Sequence, residues 1–260
     1  MIRVAIFTAT KWEFNAVRCT FPNQQMNRYS GFPCCVMESP VTQMTLMQTG
    51  MGMSKAQAGA QALLGREQWD VVISTGLVGS LTSSTLGTLL IAKGVIQDHS
   101  SSAMTAIPPE IRCDSAWSEK ALHAAEAMNM QTQQGRIVTV SRVLCTAAEK
   151  QALAQRVEGI GVDMESSVIG DVATAQQIPF IVTRTVSDLS YEDLPMDFNL
   201  FQEPWGIGRG VWGILSTPKA LPRLVTFTRQ TRRALNDLSS FFQGFLVELH
   251  PQDFKHSHKT

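Results

Sequence analysis

Cysteine is scarce and poorly spaced for structural chemistry. Cys19, Cys34, Cys35, Cys113 and Cys145 are odd in number and include no Cys-x-x-Cys pair. That argues against a disulfide framework or a zinc site and fits a reducing, cytoplasmic setting. Histidine is equally thin: His99, His123, His250, His256 and His258 are scattered, with no helical His-x-x-x-His pair beside a carboxylate, so no metal is expected. Dinucleotide fingerprints and Walker loops are missing as well, and no cofactor is implied. Charge of either sign is not in excess, since Lys+Arg and Asp+Glu balance at 22 each. Nothing in that balance favours nucleic acid or an anionic membrane as a partner. No apolar run reaches the roughly 18 residues of a membrane span. The apolar start is short and lacks a basic region and a clear cleavage site, so it reads as a first strand and not as a signal peptide.

What the chain does have is core material. Hydrophobic residues make up 44% of 260 positions and charged residues 17%, so a sizeable core can form; the length fits one large domain or two small ones, and a single domain over 1–260 is expected. Short β-rich runs alternate with helical stretches. Strands are expected at 3–8, 44–48, 70–75, 88–96, 136–140, 160–164 and 179–186, and helices at 55–64, 118–128, 147–156, 167–177 and 221–249. Several strands are apolar throughout, as strands covered on both faces are. The pattern predicts an α/β fold, a three-layer α/β/α sandwich around a central twisted mixed sheet whose strands run mostly parallel. Residues 191–222, rich in Pro, Gly and aromatics, read either as a lid or as an irregular insertion. The final helical stretch carries Arg223, Arg229, Arg232 and Arg233 among apolar residues. A core-facing helix with a solvated face explains it more simply than membrane contact.

Four acids fall at or just after expected strand ends, where ligands bind in open α/β sheets. Glu13 follows the first strand, Asp163 and Glu165 close the strand beginning near Ile160, and Asp188 follows the strand over 179–186. Asp163 and Glu165, two apart, share one face of a strand, with Met164 on the other. Their alternative is to cap the helix that follows. Gly50-Met-Gly52 and Gly76-Leu-Val-Gly79 each follow an expected strand and offer backbone a close approach to a ligand. Arg184 lies inside an apolar strand and reads as half of an internal ion pair.

Together, Val4 to Glu13, Gln48-Thr-Gly-Met-Gly52, Ser74-Thr-Gly-Leu-Val-Gly79, Val162-Asp-Met-Glu165 and Ser187-Asp188 resemble the nucleoside phosphorylase/nucleosidase superfamily. The 5′-methylthioadenosine/S-adenosylhomocysteine nucleosidases are the branch most similar in pattern. The resemblance implies cleavage of a purine nucleoside at its glycosidic bond. It casts Glu13 as the carboxylate that activates water and Glu165 as the clamp on the ribose hydroxyls. Met164 would pack on the sugar, and Asp188, beside Ser187, would protonate the purine at N7. Gly76 and Leu77 would approach the substrate. Val143 and Leu144 fall where the family grips the base through backbone groups and a stacked side chain, which is often aromatic there. An acid at N7 must hold a proton near neutrality, so Asp188 is expected in surroundings that favour its neutral form.

The superfamily uses water or phosphate as nucleophile. A carboxylate such as Glu13 takes a proton from water but repels phosphate, and the 74–79 stretch has no arginine. Against this, Leu77 stands where the methylthioadenosine nucleosidases carry serine. Thr146-Ala-Ala-Glu-Lys150 and Ser216-Thr-Pro-Lys-Ala-Leu-Pro-Arg223 are similar to hopanoid-associated nucleoside phosphorylases, which act on adenosine with a large apolar 5′ group. The aromatic 198–215 stretch would suit such a pocket or a dimer surface. A non-catalytic nucleoside-binding protein is the remaining alternative. The resemblance also implies a homodimer whose partner closes the 5′ pocket.

Overall fold

The computed structural model describes residues 1–98, 109–199 and 220–249. In chain order the elements are β1 (Ile2–Thr8), α1 (Lys11–Arg18), β2 (Gln25–Tyr29), β3 (Phe32–Glu38), β4 (Thr42–Gln48) and α2 (Met53–Leu64). They continue with β5 (Val71–Ser80), β6 (Leu89–Gln97), β7 (Ile111–Arg112), α3 (Ser115–Ala127) and β8 (Thr132–Thr139). Last come α4 (Ala147–Arg156), β9 (Gly161–Asp163), α5 (Ser166–Ala175), β10 (Phe180–Asp188) and α6 (Ala220–Leu249).

The strands form one mixed sheet in the order β10-β6-β8-β9-β5-β1-β4-β3-β2, with β7 added to β6. The expectation of mostly parallel strands is corrected. β1–β4, β1–β5, β5–β10, β6–β8 and β8–β9 are parallel, and an equal number of pairings run antiparallel. β10 also pairs with β5, so β5, β10, β6, β8 and β9 close into a ring. Neighbouring residues of β1 feed opposite faces, as strand geometry requires. Val4 and Ile6 pack with α1, α3 and α6, whereas Ala5 and Phe7 pack with α2 and α5. A smaller core lies under α4, where Leu153 meets Val138, Val140, Val162 and Met164.

Local chemistry explains the boundaries. Thr10 and Glu13 form a capping box that starts α1, and Thr146 with Glu149 does the same for α4. Asp114 caps α3 by accepting from the Trp117 N–H at 3.0 Å. β2 and β3 join through Ser30 and Gly31, both at positive φ, the conformation of a tight hairpin turn. α6 buries Leu238, Phe241, Phe242 and Phe245 against the core, while Arg223, Arg229, Arg232 and Arg233 face solvent. Among the described residues no helix is long and apolar enough to cross a membrane. Of the segment 191–222, only 191–199 and 220–222 are described, so the lid or insertion expected there lies largely outside the described residues. The same holds for 200–215 of the aromatic stretch and for His99, His250, His256 and His258.

Candidate active site

A cavity of about 430 Å³ opens at the carboxyl ends of β1, β5, β9 and β10. Glu13, Leu77, Val143, Leu144, Met164, Glu165, Ser187 and Asp188 all line it. Glu13, Glu165 and Asp188, from distant parts of the chain, thus share one space, with Asp163 also at its wall. Trp12, Met51, Leu194, Phe198 and Phe227 supply apolar wall, the last two rings lying 5.1 Å apart.

Glu13 is held by its own helix start. Its Oε2 accepts from the Thr10 N–H at 2.7 Å and the Thr10 hydroxyl at 2.8 Å, and Oε1 accepts from the Leu77 N–H at 2.8 Å. A carboxylate has about four lone-pair sites, so acceptor capacity remains for a water. Gly76, expected to approach substrate, does not line the cavity. It stands behind Glu13 with φ +146°, and a Cβ there would sit 2.3 Å from Glu13 Oε1 and 2.7 Å from Arg184 Nη1. Its missing side chain makes room for the acid.

β9 ends at Asp163, so Met164 and Glu165 lie in a bend and not on alternate faces of a strand. The two carboxylates take different hydrogen-bond partners. Asp163 turns inward: it accepts from the Thr139 hydroxyl at 2.7 Å, bonds Ser166 and pairs with Arg184 at 2.7 Å. Arg184 is almost wholly buried and also donates to Ser74 Oγ and Ser166 Oγ, each at 2.9 Å, which makes it the internal ion pair expected. Glu165 faces the cavity. It occupies the N-cap position of α5 without a capping bond, and its Oε1 accepts from the Gly52 N–H at 2.7 Å. Gly52 reaches it at φ +94° from the start of α2, so this glycine brings backbone to a carboxylate of the chain itself. Burial pushes the Glu165 carboxyl up to about 7; the Arg184 charge opposes the rise, and Asp163 and Glu13 add to it.

Asp188 ends β10 just after a bulge. Its Oδ2 accepts from the Ser187 hydroxyl at 3.0 Å. On the other side, the buried Lys150 ammonium bonds Oδ1 directly. Lys150 is the residue that sequence reasoning missed here, having been named only within the run Thr146–Lys150, while Gly52 was expected to bring backbone to a ligand and brings it to Glu165 instead. The Val143 backbone is already engaged. Its N–H donates to Asn199 Oδ1 at 2.8 Å and its carbonyl accepts from Asn199 Nδ2 at 3.0 Å, so a base read through Val143 must displace that amide. Cys145 carries a thiol pushed up by burial, which does not favour a nucleophile.

A family model described as the phosphorylase superfamily matches residues 3–205. The chain belongs to this superfamily. A 5′-methylthioadenosine/S-adenosylhomocysteine nucleosidase of Staphylococcus epidermidis is 27% identical over 169 residues, spanning 61% of this chain and 74% of that protein. Among solved structures, the nucleosidase of the same name from Neisseria meningitidis, in complex with methylthio-immucillin-A, superposes with a TM-score of 0.74 at 19% identity, covering 95% of this chain and 99% of that one. A futalosine hydrolase of Helicobacter pylori matches with a TM-score of 0.74 at 14% identity, over 95% of this chain and 100% of the other. These structural likenesses establish a shared fold.

Proposed function

We propose that this superfamily member hydrolyses the N-glycosidic bond of a 5′-substituted adenosine, releasing adenine and a ribose derivative. The observation that carries the reading is the convergence of Glu13, Glu165 and Asp188 on one cavity, with Met164 beside them. Breaking the C1′–N9 bond leaves a cationic sugar and an anionic purine. Asp188 delivers a proton to N7 and so neutralises the leaving group, an assistance worth roughly 10²–10⁴-fold. Glu165 accepts hydrogen bonds from the ribose hydroxyls and holds C1′ in line with the nucleophile. Met164 packs against the sugar. Glu13 takes the proton of the attacking water.

Water is favoured over phosphate by the pairing of charges. Among the described lining residues the cations are Arg142 and Lys150, and each is matched by an acid: Arg142 with Glu149 at 2.6 Å, and Lys150 with Asp188. A phosphate would need unpaired donors. The apolar wall of Trp12, Met51, Leu194 and Phe198 suits an apolar 5′ substituent. The decisive assay measures adenine release from methylthioadenosine with and without phosphate. Release without phosphate is expected. Strict phosphate dependence would convert the reading to a phosphorylase, and binding without release from any nucleoside would leave a non-catalytic binder.

A further inference from the structure

Lys150 is fully buried, in the first turns of α4, and all its donors go to one short stretch. Its Nζ bonds Asp188 Oδ1, the Leu189 carbonyl at 2.9 Å and the Glu192 carbonyl at 3.2 Å. Burying an ammonium costs several kcal/mol, and a well-packed apolar pair usually serves the fold as well. What sets this pair apart is where its acid half points. The Asp188 carboxylate forms cavity wall, and the ammonium grips it from behind. Ser187 fixes the other oxygen, and Gly79 leaves the group its space, since a Cβ there would stand 3.0 Å from Oδ1. The carboxylate plane is therefore set from three sides.

We propose that Lys150 is a positioning residue for departure of the purine, acting through Asp188. The inference rests on the glycosidic-cleavage reading above. One proton enters from solvent with the nucleoside and lies between Asp188 and N7. As the C1′–N9 bond breaks, its electron pair passes into the purine and the proton settles on N7, leaving Asp188 as a carboxylate. The Lys150 ammonium stabilises that carboxylate and holds it at the angle N7 requires. The attacking water gives its own proton to Glu13, which returns it to solvent, so protons balance over the cycle.

The test is a double-mutant cycle on methylthioadenosine, with melting curves of every variant. Lys150→Met is expected to lower kcat by about 10²-fold or more, within the range of general-acid assistance, while KM moves little. In the Asp188→Asn background the same change should have almost no further effect. Should Lys150→Met fail to fold, Lys150→Arg carries the test: it keeps the charge and should stay within about tenfold of wild type, by the same scale. Wild-type kcat in a folded Lys150→Met, losses that simply add in the double variant, or a folded Lys150→Arg with no more activity than Asp188→Asn would each overturn the inference. If the wild-type protein itself releases no adenine, the cleavage reading has failed and this inference falls with it.

Discussion

Glu165 carries two demands that conflict. As the proposed ribose clamp it accepts from two hydroxyls best when ionised, yet burial raises its carboxyl from 4.5 to about 7. Ionising it therefore opposes folding of the unliganded protein. By linkage, its stabilising contribution is complete below the ordinary carboxyl range and is lost as pH rises through about 7. Thermal melts taken from about pH 5 to about pH 8 should show the wild type losing stability relative to Glu165→Gln, which cannot titrate. Parallel curves would mean that the carboxyl ionises as an exposed one does. Glu13 is similarly double, being both a helix cap and the proposed base. Glu13→Gln can keep the capping box but turns an amide N–H toward the Leu77 N–H, so it should lose about 1 kcal/mol of stability in urea melts. It should lose about 10²-fold or more in kcat, and unchanged turnover would end its role as base. These acids were legible in the sequence because they stand at strand ends. Lys150 was not. A lysine within a helix reads as solvated, and its partner lies 38 residues away.

The elements that position those acids differ in how openly the sequence declares them. β1, β4, β6 and β10 are apolar runs, and their reading holds to within a residue or two. α1 has eight residues and only its capping box as a signal, and β2 is exposed along most of its length, so neither shows the expected periodicity. β5 reads as ending at Thr75 because glycine weakens strands, but it runs on to Ser80 through Gly76 and Gly79. Both glycines serve the site from within the strand. Gly76→Ala should thus be a β5 variant with a cost in both currencies. The added methyl meets Glu13 Oε1 and forces an L residue to φ +146°. A stability loss of about 1–3 kcal/mol is expected from the backbone alone. Turnover should fall further than that loss explains, because the carboxylate must move. A variant that melts earlier yet turns over normally would show that Glu13 needs no such room.

At the scale of the whole molecule, closure of β5, β10, β6, β8 and β9 into a ring brings the ends of β9 and β10 to one opening, and β1, paired with β5 outside the ring, carries Glu13 to the same place. Sequence order hides this, because β10 closes the ring by pairing with β5 more than a hundred residues earlier. The rim of that opening is not finished by the described residues. Trp12 is 68% exposed and Met51 40% exposed, and both line the cavity. Large apolar side chains left open beside a site mark a surface that something covers. We propose that a second copy of the chain covers it and closes the 5′ end of the substrate pocket. Sedimentation should then give twice the monomer mass. Trp12→Glu should shift the protein toward monomer and raise KM for methylthioadenosine more than for adenosine, since only the former places a substituent at the rim. A wild-type monomer with full activity would refute the shared pocket. A dimer indifferent to Trp12→Glu would place its interface on another face and refute the shared pocket as well.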